Sequence, residues 1–216
     1  MTTKTAFILV LVLAAIMFGV GLYSYPRLGE PVITHWGAQG EPNGYGTPFE
    51  GAFLLPLMAL GLGLLMLGIP EIDPLKKNIQ LFRKDYNGFV VAFMGFFLYL
   101  YLVTILINLG LPLNMNRMLV PGMGVFLYYA GVLIGKARRN FFIGIRTPWT
   151  LSSDTVWEKT HRLGGVLFKA VGIITLLGFF FPEYAIWLMI VPLLMVTVFI
   201  TVYSYFEFRS ENPSNP

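Results

Sequence analysis

The chain holds two histidines, His35 and His161, and no cysteine. Imidazole is the side chain that most readily binds metal or moves protons near neutral pH, so the neighbours of each histidine bound the available chemistry. His161 closes Glu158-x-x-His161, a spacing that puts both groups on one helix face as in carboxylate-bridged metal sites. Those sites need two copies of the pattern and further glutamates from other helices, and the chain has one copy. Ser152 or Ser153 with His161 would pair a nucleophile with a base, but neither serine has the context of a nucleophile elbow. His35 has Glu41 nearby, whereas catalytic zinc takes three protein ligands. Without cysteine there are no disulfides, thiolate metal sites or thiol nucleophiles. No metal, no cofactor and no enzymatic activity are expected. A membrane enzyme acting on a lipid headgroup stands as an alternative, with Asp154, Glu158, His161 and Arg146 as acid, base and anion clamp.

The elements that must position these residues are apolar. The 216 residues are 56% hydrophobic and 12% charged, with a mean hydropathy of +0.70, where a soluble domain carries about 25% charged residues. Six apolar runs, at 5–25, 51–69, 89–109, 118–135, 163–181 and 184–206, are each long enough to cross a hydrocarbon core of roughly 30 Å as a helix. The alternation of a membrane barrel is absent. The first run exceeds the apolar region of a signal peptide and lacks an A-x-A site, so it is expected to be a retained helix. Pro56 and Pro192 are expected to kink their spans. The fold class expected is therefore an all-α integral membrane protein, a bundle of six transmembrane helices in contact with membrane lipids. Gly131 and Gly135 form a small-xxx-small pair, read as close helix packing within the chain rather than as a dimer seam.

The net charge of +4 is explained by basic cytoplasmic loops, so no direct nucleic-acid binding is expected. Lys76, Lys77, Arg83 and Lys84 follow the second span; Lys136, Arg138, Arg139, Arg146, Lys159 and Arg162 follow the fourth; Lys4 and Arg209 flank the ends. Arg27 and Arg117 alone remain for the other side. This asymmetry predicts a multi-pass protein of the cell membrane, both termini cytoplasmic and the loop 26–50 outside. Lys169 is close enough to the cytoplasmic side to snorkel. The span centres carry no ionisable side chain, which argues against a proton-coupled transporter. A transporter of small solutes or lipids, lined by Tyr, Thr and Asn108, is a further alternative.

Two loops carry the remaining information. The outer one, "PVITHWGAQGEPNGYGTP" over 31–48, has the Gly, Pro and Asn content of successive tight turns. Trp36 and Tyr45 are expected to anchor it at the membrane surface, and His35 to satisfy a turn carbonyl. A ligand would instead meet His35, Trp36, Glu41, Asn43 and Tyr45. The inner loop, "NFFIGIRTPWTLSSDTVWEKTHRLGG" over 140–165, has five charged residues, a histidine and two tryptophans. Pro148 disfavours helix at Thr147. Ser152, Ser153 and Asp154 then cap a short interfacial helix over about 154–163, between the fourth and fifth spans. Glu158 and Arg162 are spaced to pair, and Trp157 and His161 share another face. Phe141, Phe142, Trp149 and Trp157 fit the headgroup layer. Two readings stay open. In one the segment is an ordered elbow, with Arg146 bonded to helix carbonyls, Asp154 or Glu158. In the other, Arg146, Thr147, Trp149, Trp157, His161 and Arg162 form a docking surface for a cytoplasmic partner or an anionic headgroup.

The inner-loop pattern Asn140, Gly144-Ile145-Arg146-Thr147-Pro148-Trp149-Thr150-Leu151, Trp157, Thr160-His161-Arg162 and Gly164-Gly165 resembles the signature of the SdpI family of bacterial membrane proteins. The outer pattern Pro31, His35-Trp36, Gly40-Glu41-Pro42-Asn43 and Gly46 resembles the N-terminal domain that accompanies it, with Thr47-Pro48 where a lysine often follows. The resemblance implies immunity to a secreted peptide toxin and recruitment of a cytoplasmic repressor protein, without enzymatic activity. It also implies a division into an N-terminal two-helix unit (1–70) with the extracellular loop and a four-helix unit (71–209) with the signature loop 140–165; the tail 210–216 is expected to be disordered from its composition.

Overall fold

A computed structural model describes residues 1–211, so all but the first two residues of the expected disordered tail lie outside the described residues. Those two, Ser210 and Glu211, close the last helix. Six helices are long and apolar enough to cross a membrane. They are α1 (Thr3–Ser24), α2 (Leu55–Ile72), α4 (Arg83–Asn108), α5 (Met115–Ile134), α7 (Asp154–Leu177) and α8 (Ala185–Glu211), with the short α3 (Lys76–Gln80) and α6 (Pro148–Ser152) between them. The chain is an all-α multi-pass membrane protein, but for one hairpin. Many of its large apolar side chains are exposed, as a lipid-facing bundle requires.

The interior comes in two clusters. Ala6, Val10, Ala14 and Met17 of α1 meet Ala59 of α2 and Val90 and Met94 of α4, so α4 completes the packing of the first two spans. Leu127 of α5, Val171 of α7 and Met189 of α8 form the second. The α5–α7 contact is made backbone to backbone. A Cβ at Gly131 would lie 2.8 Å from the Gly165 carbonyl oxygen, and one at Gly172 would lie 2.6 Å from that of Gly124. The expected use of Gly131 and Gly135 within the chain is thus observed, and Gly124, Gly165 and Gly172 extend the seam. Pro56 begins α2 after a π-helical turn (Glu50–Leu54) instead of interrupting the helix, while Pro70, Pro121 and Pro192 lie inside helices.

Two expectations need correction. The outer loop is a two-stranded antiparallel hairpin, β1 (Val32–Trp36) with β2 (Pro42–Gly46), not a string of turns. Pro42, Gly44 and Gly46 hide the strand, since such residues are depleted from sheets. Gly44 is needed, because a Cβ there would meet that of His35 at 2.7 Å. The short helix expected over 154–163 is the beginning of the unbroken α7; the separate short helix is α6, one turn earlier. Ser153, extended at φ −141° and ψ 131°, ends α6 and caps α7.

The hairpin packs at one end of the bundle. Asn108, at the end of α4, accepts from the Ile33 amide at 2.8 Å and donates to the Ile33 carbonyl at 2.9 Å. Asn116 donates to the Ala38 carbonyl at 2.7 Å. The signature loop lies at the other end, with both helix termini of the chain: Asn87 reaches Met1 and Thr3, and Ser153 reaches Glu211.

Candidate functional site

The signature loop is built around the Asn140 side chain, which is fully buried. Its amide donates to the carbonyls of Arg138 (2.7 Å) and Ile143 (2.8 Å), and its oxygen accepts from the amides of Phe142 (2.9 Å) and Ile143 (2.6 Å). One side chain thereby satisfies four backbone groups of a loop that has no sheet or helix ladder to satisfy them. Gly144 follows at φ +114°, a conformation open chiefly to glycine, and a Cβ there would lie 2.4 Å from the His161 Nε2.

His161 is 1% exposed. Its Nε2 lies 2.9 Å from the Ile145 amide and must accept from it, so the proton resides on Nδ1, which donates to the Trp157 carbonyl at 2.9 Å. The ring also stacks on Trp157, centroids 3.8 Å apart. Trp157 in turn donates its indole N–H to the Ala137 carbonyl at 2.9 Å. Both imidazole nitrogens are occupied by backbone, which leaves neither for a metal or a substrate proton. The Trp157 ring is 2% exposed, so it fills the bundle interior and not the headgroup layer.

Thr147 and Thr150 complete the turn into α6. Thr147 accepts from the Thr150 amide at 3.2 Å and Thr150 accepts from the Thr147 amide at 2.9 Å, a reciprocal cap with Pro148 at the first helical position. Thr147 also meets Ser204 of α8 at 3.0 Å. Trp149 is half-buried against the Tyr205 ring.

Charges sit on the outside of this frame. Arg146 is exposed and donates to the Phe141 carbonyl at 2.7 Å, a loop oxygen and not a helix end or an acidic side chain. Asp154 is taken by Arg139, as an ion pair at 2.7 Å whose alignment falls short of a hydrogen bond at Nε. Arg139 also donates to the Leu151 carbonyl at 3.0 Å. Glu158 lies 4.0 Å from Arg138, across the loop, and not against Arg162. Two residues from outside the motif tie it to the first half of the chain. Asp73, at the end of α2, accepts from the Phe141 amide at 2.8 Å, and Asn78 donates to the Arg139 carbonyl at 2.8 Å. Sequence reasoning assigned no role to Asp73 or Asn78, and used Arg139 only as one of the basic residues that set the orientation. The Asp73-Pro74 step, a turn-initiating pair, was the available signal for the first.

The expected site residues therefore divide. Arg146 and Arg162 face outward, Trp149 is half-buried, and Thr147, Trp157 and His161 are interior. At the hairpin end, His35, Glu41, Asn43 and Tyr45 are exposed and Trp36 is half-buried. His35 pairs with the Asn43 side chain at 2.6 Å across the strands, instead of with a turn carbonyl. The two histidines sit at opposite ends of the bundle. Among the described residues no three His, Asp or Glu side chains gather as a metal site.

Residues 136–204, which hold the signature loop, α7 and most of α8, match the SdpI/YfhL protein family. Residues 12–60, which hold most of α1, the hairpin and the start of α2, match a domain of unknown function, DUF1648. The chain is also 29% identical over 208 residues to the immunity protein SdpI of Bacillus subtilis (strain 168), covering 96% of this chain and 98% of that one. No solved structure matches this chain. The family match begins at Lys136, where α5 has just ended, so it takes in the whole of the buried network centred on Asn140 and His161.

Proposed function

We propose that this chain belongs to the SdpI family and is a membrane immunity protein and receptor, which protects a bacterium from a secreted peptide toxin and recruits a cytoplasmic repressor through its signature loop. The observation that carries this reading is the full-length similarity to an immunity protein, which spans all six helices and both loops. In this reading the protein sits in the cell membrane with both termini and the signature loop in the cytoplasm, as its basic loops favour. The exposed hairpin residues His35, Glu41, Asn43 and Tyr45, with Trp36, meet the toxin. At the other end Arg146 and the neighbouring exposed Phe141 and Phe142 offer a planar cation flanked by aromatic rings to the repressor. Thr147, Trp157 and His161 act one step back, as positioning residues that hold the loop in shape. A non-enzymatic role is supported by the occupancy of both His161 nitrogens, which removes the side chain best suited to acid–base work.

The test is survival of a sensitive bacterium expressing the chain when challenged with the secreted peptide fraction of the source strain. Protection that is lost with Arg146→Lys at unchanged membrane abundance supports the reading. Equal killing with and without the wild-type chain, at proven expression, rejects it.

A further inference from the structure

A second polar feature at the signature end adjoins the buried loop network and shares Ala137, Arg138 and His161 with it. Between the start of α4, the residues just after α5 and the first turns of α7 lies an open cleft of about 470 Å³. Its charged lining is Asp85, Lys136, Arg138, Glu158 and Arg162. Lys136 is held by Asp85 at 2.6 Å. Arg138 and Glu158 stand 4.0 Å apart, both more than half exposed, a pair too loose to neutralise either group firmly. Arg162 has no hydrogen bond or ion pair among the described residues, and its charge acts on the Tyr203 hydroxyl of α8.

Two further observations bear on what the cleft receives. Leu81 lines it and is 74% exposed, an apolar side chain on the rim of a charged hollow. Lys169 follows Arg162 by one heptad, so Glu158, Arg162, Gly165 and Lys169 share a face of α7. Its stem lies over Gly131, its Cγ only 2.9 Å from where a Cβ there would be, and it too has no hydrogen bond or ion pair among the described residues. Helical side chains lean toward their N-terminus, so the Lys169 stem runs back along α7 in the direction of Gly165 and Arg162. The cleft lies at the ends of three helices long and apolar enough to cross a membrane. A ligand that fits must bring an anion to Arg162 and apolar surface to Leu81.

We propose that this cleft seats the headgroup phosphate of an anionic phospholipid. Arg162 is the main cation, Arg138 and Lys169 flank it, and Leu81 covers the junction of glycerol and acyl chains. Lys136 remains on Asp85. The site is independent of the toxin and the repressor and stands whether or not the immunity reading does.

The test uses the full chain, purified in mild detergent and incorporated into nanodiscs of phosphatidylglycerol or phosphatidylcholine with the same acyl chains. Lipids retained are counted by native mass spectrometry. Wild type is expected to prefer phosphatidylglycerol, and Arg162→Gln or Arg138→Gln to reduce that preference about fivefold each, the effect of one basic side chain near an anionic headgroup. Asp85→Asn releases Lys136 into the cleft and is expected to strengthen the preference, an opposite sign that mere loss of fold would not produce. Lys77→Gln, outside the cleft, is expected to change nothing. Equal retention of both lipids by wild type, or variants that match wild type, overturns the proposal. So does displacement of the lipid by glycerol phosphate at equal concentration, which would make the cleft a site for a soluble phosphate.

Discussion

The hairpin end and the signature end use polar residues in opposite ways. At the hairpin, Asn108 and Asn116 clamp two points of backbone from below, while His35, Glu41 and Asn43 stay exposed. At the signature end Asn140, Thr150, Thr160 and His161 are at most 1% exposed, and all but Thr160 satisfy backbone groups. A polar pattern in an oily chain invites the reading that it meets a partner. Here most of the more conspicuous pattern is interior, because a loop folded back on helix ends must find donors and acceptors for its own amides and carbonyls. What it presents outward is mostly charged: Arg146, Asp154, Glu158, Lys159 and Arg162, with Phe141 and Phe142 beside them.

The contrast can be broken most sharply by side of the membrane. In this cysteine-free chain, Ala38→Cys on the hairpin is expected to react with an impermeant thiol reagent in intact cells, and the exposed Thr155→Cys only after permeabilisation. Labelling of Thr155→Cys in intact cells would reverse the orientation. Stability effects come next. Gly144→Ala combines a left-handed backbone with a clash at the His161 ring and is expected to cost about 3–4 kcal/mol, read as a lowered midpoint of thermal unfolding in detergent. A midpoint within a degree of wild type would mean that the loop is not locked by His161. Asn140→Ala strands several buried backbone groups and is expected to cost about 3 kcal/mol by the same measurement.

Asn108→Ala sharpens the comparison from the other end. It removes the two bonds to Ile33 and is expected to cost about 1–2 kcal/mol, felt mainly as faster proteolysis within the hairpin at nearly unchanged unfolding of the bundle. Should the whole bundle melt instead, the hairpin is as structural as the signature loop. The smallest stability effect is expected for Arg146→Lys, within about 0.5 kcal/mol, since the group is exposed and a lysine can still reach the Phe141 carbonyl. If protection depends on a planar fork, this variant nonetheless fails in the survival assay. Full protection would leave the loop's cation as a point charge or a bystander.

The sequence by itself determined the six spans and the helical class, because a bilayer demands about 20 apolar residues per crossing and little else competes with that signal. It also determined that Pro148 and Ser153 punctuate the loop, since each acts through its own backbone and nearest neighbours. Tertiary structure decided the rest. That Trp157 and His161 share a face was legible from their spacing, but which way that face points depends on where α5 and the loop lie. Asp73 and Phe141 are 68 residues apart in sequence and meet only once α2 ends beside the loop. Strand β2 forms despite its glycines and proline because Asn108 fixes β1 at Ile33 and Gly44 lets β2 approach His35 closely enough to pair with it. Local rules report what a segment can do alone; which side chains are left facing outward is settled by the neighbours that cover the others.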